Sequence, residues 1–364
     1  RRPMEIKAAD VAKLRKMTGA GMMDCKNALT EAEGDFDKAM EIIRKKGQAV
    51  AAKRSDREAS EGCVLAKTTG NFAVIIALKC ETDFVAQNAD FIKLTQDILD
   101  LAVANNCKTL DEVKALPMGN GTVQDAVTDR SGITGEKMEL DGYLTVEGAS
   151  TVVYNHMNRN GLCTIAAFNK EVNEQLAKEV AMQIAAMSPE YLSKDCISDD
   201  ELAKMKSITI DSSLNKPESL PKPILKNLFD KAVNDKLFSD EDLAAYEEQK
   251  NNKFLFNFLS DKAVETLVEL AMASKADIVA NKIFAGAVDG RMKKQLKEVC
   301  LLEQAFVRSD LYDGDVAGYI ADVAKKLGAS IKATGFIRYA KGEGIEKKQE
   351  DFAAEVAAQM NMGK

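Results

Sequence analysis

The stretch from Phe72 to Cys80, FAVIIALKC, is apolar but for Lys79 and rich in β-branched residues. It is far shorter than the roughly 20 apolar residues that a membrane helix needs. A run of this length and content reads as a buried strand. A Gly70-Asn71 turn joins it to the preceding CVLAKTT, which makes the pair a hairpin. A helical pattern follows, with Phe91, Leu94, Ile98, Leu99 and Leu101 in register and Asp90 at a point of interruption. The plan recurs about 90 residues later as VVYNHM, an Asn/Gly turn, LCTIAAFN and then NEQLAKEVAMQIAAMSPEYL, broken at Pro189. Hairpin then helix, twice, predicts an α+β fold whose core is two related antiparallel-sheet and helix subdomains.

Flanking segments read differently. Residues 5–47 give three short helices. The first is carried by Val11 and Leu14 and ends near Thr18-Gly19. The second holds Met22, Met23, Cys25, Ala28 and Leu29. The third is N-capped by Asp35, holds Ala39, Met40, Ile42 and Ile43, and ends at Gly47. Of Met22 and Met23, one is expected inside and one on a partner surface, since Met suits adaptable contacts. The basic run RKKGQAVAAKRSDR (44–57) is either a solvated linker or a positive arm. Pro217, Pro221 and Pro223 mark a linker-like piece before an all-helical excursion, where Ser239 and Ser260 read as N-caps with acids in the first turn. ATGFIRYAKGEG gives one more strand, and DFAAEVAAQM a short amphipathic helix.

Composition limits the chemistry. The chain carries one His, His156, so any relay that needs an imidazole must use it. No phosphate-binding glycine motif follows a strand, and no cofactor or metal is expected. A net charge of −7 disfavours general binding of nucleic acid or anionic membrane. Seven scattered Cys with no C-x-x-C pair fit a reducing, cytosolic setting. Nothing reads as a secretory leader, and Arg1-Arg2-Pro3 before Met4 reads as an extension outside the fold. A binding protein, rather than an enzyme, is the expectation.

Two resemblances sharpen it. MTGAGMMDCKNAL followed by EGDFDKAMEII resembles the ubiquitin-associated (UBA-like) type of three-helix domain. Beyond that, LRKMTGAGMMDCKNALTEAEGDFDKA, CETDFVA, GRMKKQLKEVCLLEQAFV and TGFIRYAKGEGIEKKQEDFAAEVAAQM, four blocks in order, resemble the bacterial elongation factor Ts family. The resemblance implies a guanine-nucleotide exchange factor for elongation factor Tu in translation. Thr82, Asp83, Phe84 and Val85 match the part that enters the partner's GTPase domain and helps dislodge its Mg²⁺. Leu14, Arg15, Met22 and Met23 match a second contact with that domain, and His156 a contact with another domain. The segment from Asp351 to Met360 matches a C-terminal module that also packs on the GTPase domain. The implied division is a UBA-like domain at 4–54, core subdomains at 55–150 and at 151–190 with 285–342, a helical insertion of the coiled-coil, dimerisation type at 191–284, and a C-terminal module at 343–364. A homodimer through the insertion is one expectation for that segment. The chain departs from the family at Glu179 and Gln183, where many relatives have His.

The motif CETDFVA also has a reading of its own. An aromatic on a rigid strand-to-helix turn has the profile of an interface anchor, with large area and few rotatable bonds. Ordinary core packing is the competing reading for Phe84. Asp83 either caps the following helix or contacts a partner, and both can hold. A lone His near a hairpin turn is by itself simply exposed and polar, with no relay in reach. A thiol enzyme built on Cys80 is disfavoured by the acids beside it. The alternative of another class is a helical adaptor that binds partners through the UBA-like domain without exchange activity.

Overall fold

The first three helices follow the apolar spacing, with a glycine stop after α1 and a side-chain N-cap only on α3. In the computed structural model, which describes residues 5–343, α1 (Ala8–Thr18) ends on Gly19, whose left-handed φ of 72° lets its N–H return to Arg15 O. Next come α2 (Met22–Glu31) and α3 (Phe36–Lys53). The Asp35 carboxylate caps α3 by accepting from the N–H groups of Asp37 and Lys38. Val11, Leu14, Cys25, Ala28, Leu29, Ala39 and Ile43 close a small core among the three helices.

The hairpin forms as its pattern requires, from β1 (Glu61–Thr68) and β2 (Phe72–Cys80). After it come α4 (Asp83–Ala86), α5 (Ala89–Ala104), α6 (Leu110–Lys114), the two-residue strands β3 (Pro117–Met118) and β4 (Gly121–Thr122), α7 (Val123–Thr134) and β5 (Glu139–Glu147). β2 is the centre of a sheet ordered β1-β2-β5 and is buried from end to end. Its alternate residues explain the continuous apolar run. Phe72, Val74, Ile76, Leu78 and Cys80 face α5 and its neighbours, together with Phe91, Ile98 and Leu99. Ala73, Ile75 and Ala77 face a second sheet instead. Lys79 shares that second parity and is buried, its ammonium 2.7 Å from Asp141.

The third helix does not stop at Gly47. A Cβ at Gly132 in α7 would stand 2.5 Å from Gly47 Cα, and one at Gly47 would stand 3.0 Å from Thr128 O. Gly47 therefore allows two helices to cross closely, and α3 continues to Lys53. The basic run is largely absorbed by internal pairs. Arg44 meets Asp129 at 3.2 Å, Lys46 pairs with Asp24, and Arg54 meets Glu81 at 3.0 Å.

The second hairpin is β6 (Ser150–Asn155) and β7 (Leu162–Phe168), followed by α8 (Glu174–Met187). Ser193–Gln304 then form a separate helical unit. It contains α9 (Asp199–Leu214), α10 (Lys222–Asn234), α11 (Asp240–Gln249), α12 (Asp261–Ala273), α13 (Lys275–Ala280) and α14 (Lys282–Val299). Leu214, Leu228, Phe229, Leu267, Phe284 and Val288 are among the residues of its own core, where Phe229 stacks on Tyr246 at 4.4 Å. Ser239 and Ser260 are the caps of α11 and α12. The block GRMKKQLKEV lies within α14, so it belongs to this unit and not to the mixed structure that follows.

From Ala305 the chain rejoins the first unit with α15 (Val316–Leu327) and β8 (Ala333–Ala340). β8 completes a sheet ordered β6-β7-β8. Each of the two three-stranded sheets thus has a hairpin whose second strand also pairs with a much later strand, and each later pairing has a register shift near its end, at Ala77/Leu78 and at Ala167/Phe168. α8 packs on the second sheet, where Thr164 Oγ1 donates to Ala181 O at 3.0 Å. The expected α+β class and the three N-terminal helices are therefore present. Among the described residues no helix is long and apolar enough to cross a membrane. The C-terminal segment from Asp351 to Met360 lies outside the described residues.

Candidate functional site

β2 ends at Cys80, and the next two residues turn the chain into α4. The turn is tied down at nearly every polar group. Glu81 accepts two contacts from the guanidinium of Arg54, the C-cap of α3, at 3.2 and 3.0 Å, and a third from Lys137 N at 2.7 Å. Its own N–H and that of Thr82 both donate to Glu136 Oε2 at 3.1 Å. The Thr82 hydroxyl donates to the other oxygen of Glu136 and accepts from Val85 N. Cys80 Sγ lies 3.2 Å from Thr82 O.

Thr82, not Asp83, is therefore the N-cap of α4. Asp83 occupies the first helical position and is exposed; its carbonyl accepts from Gln87 N, while its carboxylate has no hydrogen-bonding or charged partner among the described residues. Of the two readings the sequence left open for Asp83, capping is removed. Val85 and Ala86 turn inward against the β2 and α5 core. Phe84 turns outward and is 83% exposed, which removes the core-packing reading. The ring stands in water on a turn whose backbone is fixed on both sides.

The N-terminal candidates separate. Leu14 is 0% exposed in the core of the three helices, so it has no surface to offer and acts only by supporting its neighbours. Arg15 is exposed. Met22 and Met23 are both exposed, at 59% and 62%, where one had been expected inside. They open α2 one turn before Cys25, Ala28 and Leu29, and those residues fill the core without them. His156 is half-buried after β6, with Nδ1 3.2 Å from the Tyr154 hydroxyl and its ring edge-on to Tyr154. Next to it Met157 is exposed with a φ of 55°, a costly conformation for an ordinary side chain. A broad cavity of about 1140 Å³ lies on this face, lined by Tyr154, Met157, Glu179 and Arg308 among others, and by none of residues 81–85.

Glu179 and Gln183 serve internal contacts. Glu179 meets Arg308 at 2.9 Å, while Gln183 donates to Ala305 O and accepts from Val307 N, fastening the 305–308 segment to α8. Sequence reading missed two residues of the turn, Arg54 and Glu136. A lone carboxylate directly after the helix-ending Gly135 was the one available signal, and nothing in the sequence joins it to Thr82.

Among the described residues the Cys80 thiol of the turn is not an activated nucleophile. Burial, with Glu136 adding to it, pushes the Cys80 thiol up to about 12, so it stays protonated and inert. Among the described residues no cluster of three or more His, Cys, Asp or Glu stands ready for a metal. What the arrangement offers is a presented aromatic and a free carboxylate on a rigid support.

Residues 81–343 match the sequence model of a family described as "Elongation factor TS", and that match opens on Glu81 of the turn. The chain is similar to an "Elongation factor Ts" of Bacteroides thetaiotaomicron, 63% identical over 301 residues, which cover 83% of this chain and 90% of the relative. It is likewise similar to that of Bacteroides fragilis, 54% identical over 336 residues, covering 92% and 98%. A relative in Porphyromonas gingivalis is 54% identical over 220 residues, covering 60% and 80%.

Proposed function

The chain belongs to the elongation factor Ts family of translation elongation factors, and we propose that it is a guanine-nucleotide exchange factor that binds elongation factor Tu–GDP, displaces its Mg²⁺ and promotes GDP release. One observation carries the reading: Phe84 is exposed on a turn that the fold holds rigid.

The physics needs no catalytic group. A nucleotide bound with Mg²⁺ is held largely through its phosphates and the ion that bridges them. Mg²⁺ requires near-ideal octahedral geometry, so a small displacement of its ligands weakens it greatly. A protein that binds the nucleotide-free state of its partner better than the loaded state lowers nucleotide affinity by the same factor. Phe84 is the wedge that separates the partner's ion-holding elements. Its apolar area, already ordered, is recovered only on burial in the partner. Asp83 beside it is free to bond backbone or basic groups at the point of entry. Thr82 and Val85 hold the wedge to the fold.

Arg15, Met22 and Met23 form the second contact, with Leu14 beneath them, and His156 the third. A wedge needs such anchors, because the force that opens one site must be braced at another. The exposed Met pair also favours the adaptor reading, in which the three-helix domain is the only contact. The two diverge in one assay. The exchange reading expects the protein to accelerate release of fluorescent GDP from elongation factor Tu, and Met22→Ala/Met23→Ala to raise the concentration needed for half-maximal effect. The adaptor reading expects binding without acceleration, and that result would refute exchange.

A further inference from the structure

We infer that Glu136 is a positioning residue for exchange: its carboxylate sets the entry geometry of Phe84 without touching the partner's ion site. The inference rests on the exchange reading above and deepens it. Three donors converge on this one carboxylate. Two are successive backbone N–H groups, of Glu81 and Thr82, and the third is the Thr82 hydroxyl. The same hydroxyl receives Val85 N, so the cap of α4 is oriented by Glu136. Phe84 lies between the two residues joined by that cap.

Glu136 is itself held. It follows α7 through the left-handed Gly135, with φ 74°, and its carbonyl accepts from Ser131 Oγ in the last turn of that helix. The adjacent Lys137 N–H donates to Glu81. Loop 135–137 and loop 81–82 are thus cross-linked in both directions, carboxylate to amide each way. Hydrogen bonds to an ionised acceptor are about twice as strong as neutral ones, and two adjacent amides on one oxygen fix direction as well as distance. Arg54 adds its bond to Glu81 from the C-cap of α3, but it holds a side chain, whereas Glu136 holds the backbone from which α4 starts.

A positioning role and a merely structural one make different predictions in a double-mutant cycle. GDP release from elongation factor Tu would be followed at saturating concentrations of wild type, Phe84→Ala, Glu136→Ala and the double variant, with far-UV circular dichroism confirming the fold at the assay temperature. Glu136→Ala should lose about tenfold of the acceleration, the worth of roughly one charged hydrogen bond. With Phe84 already removed, the same change should cost less than about twofold, because there is no ring left to aim. Equal fold-losses in both backgrounds would overturn the inference, as would Glu136→Ala matching wild type. If Glu136→Ala is unfolded, Glu136→Gln, which keeps one acceptor oxygen but loses the charge and the second acceptor, carries the same cycle with a smaller expected loss, and equal fold-losses with and without Phe84 would overturn the inference. Wild type that fails to accelerate release would instead refute the exchange reading beneath it.

Discussion

Phe84 and Cys80 are four residues apart and have opposite fates. The thiol sits on the helix-facing side of β2, fully enclosed, and burial keeps it protonated. Cys63 beside it is pushed up to about 11 for the same reason. Of the seven thiols only Cys196 is exposed. The native protein should therefore take up one equivalent of a maleimide rapidly and the rest only on unfolding, as mass spectrometry would show. More than one rapid equivalent would contradict the burial described here. The resemblance singled out Thr82–Val85 but not the side to which each residue turns. Spacing alone favoured the core for Phe84, and one turn of helix is too short to show a face. The hydrogen bonds that decide it come from residue 136 and residue 54, and contacts across such separations leave no local pattern.

Elements were legible where a period or a cap was local. β2 was read from its apolar run, α3 from Asp35, and α11 and α12 from their serines. β5 was not, since its register with β2 shifts at Ala77/Leu78 and moves Leu140 and Leu144 to opposite faces. Gly47 was misread as a stop because glycine at a helix end and glycine at a helix crossing look alike in sequence. At that crossing, Gly132→Ala should destabilise the first unit by about 1–3 kcal/mol, the usual cost of overpacking, measured by denaturant unfolding. In the helical unit, the Asp242 carboxylate joins two helix starts by accepting from Ser239 Oγ and from both Ser260 N and Oγ. Burial raises its pKa, but the bonds from Ser260 and Ser239 outweigh burial and hold it below the ordinary 3.8. A depressed folded value means stability that is fully present above the ordinary value and lost as pH falls from there through the lower folded value. Asp242→Ala should cost about 2 kcal/mol near neutrality, and Asp242→Asn should flatten the loss of stability below about pH 4.

At the scale of the whole molecule, one unit carries the exposed Phe84 turn, the three N-terminal helices and the two three-stranded sheets, and the other is a helical unit with its own core. The repeat of hairpin, helix and late third strand gives two similar supports, one ending in the Thr82 turn and one presenting His156. That arrangement suits a protein that acts by gripping a partner at separated points and straining the site between them. The central claim is that Phe84 does the straining. Stopped-flow release of fluorescent GDP from elongation factor Tu, at saturating concentrations of the protein, tests it most directly. Phe84→Ala should slow release by about 2 kcal/mol, roughly thirtyfold, while leaving the fold intact. Release by a folded Phe84→Ala variant at the wild-type rate would contradict the account.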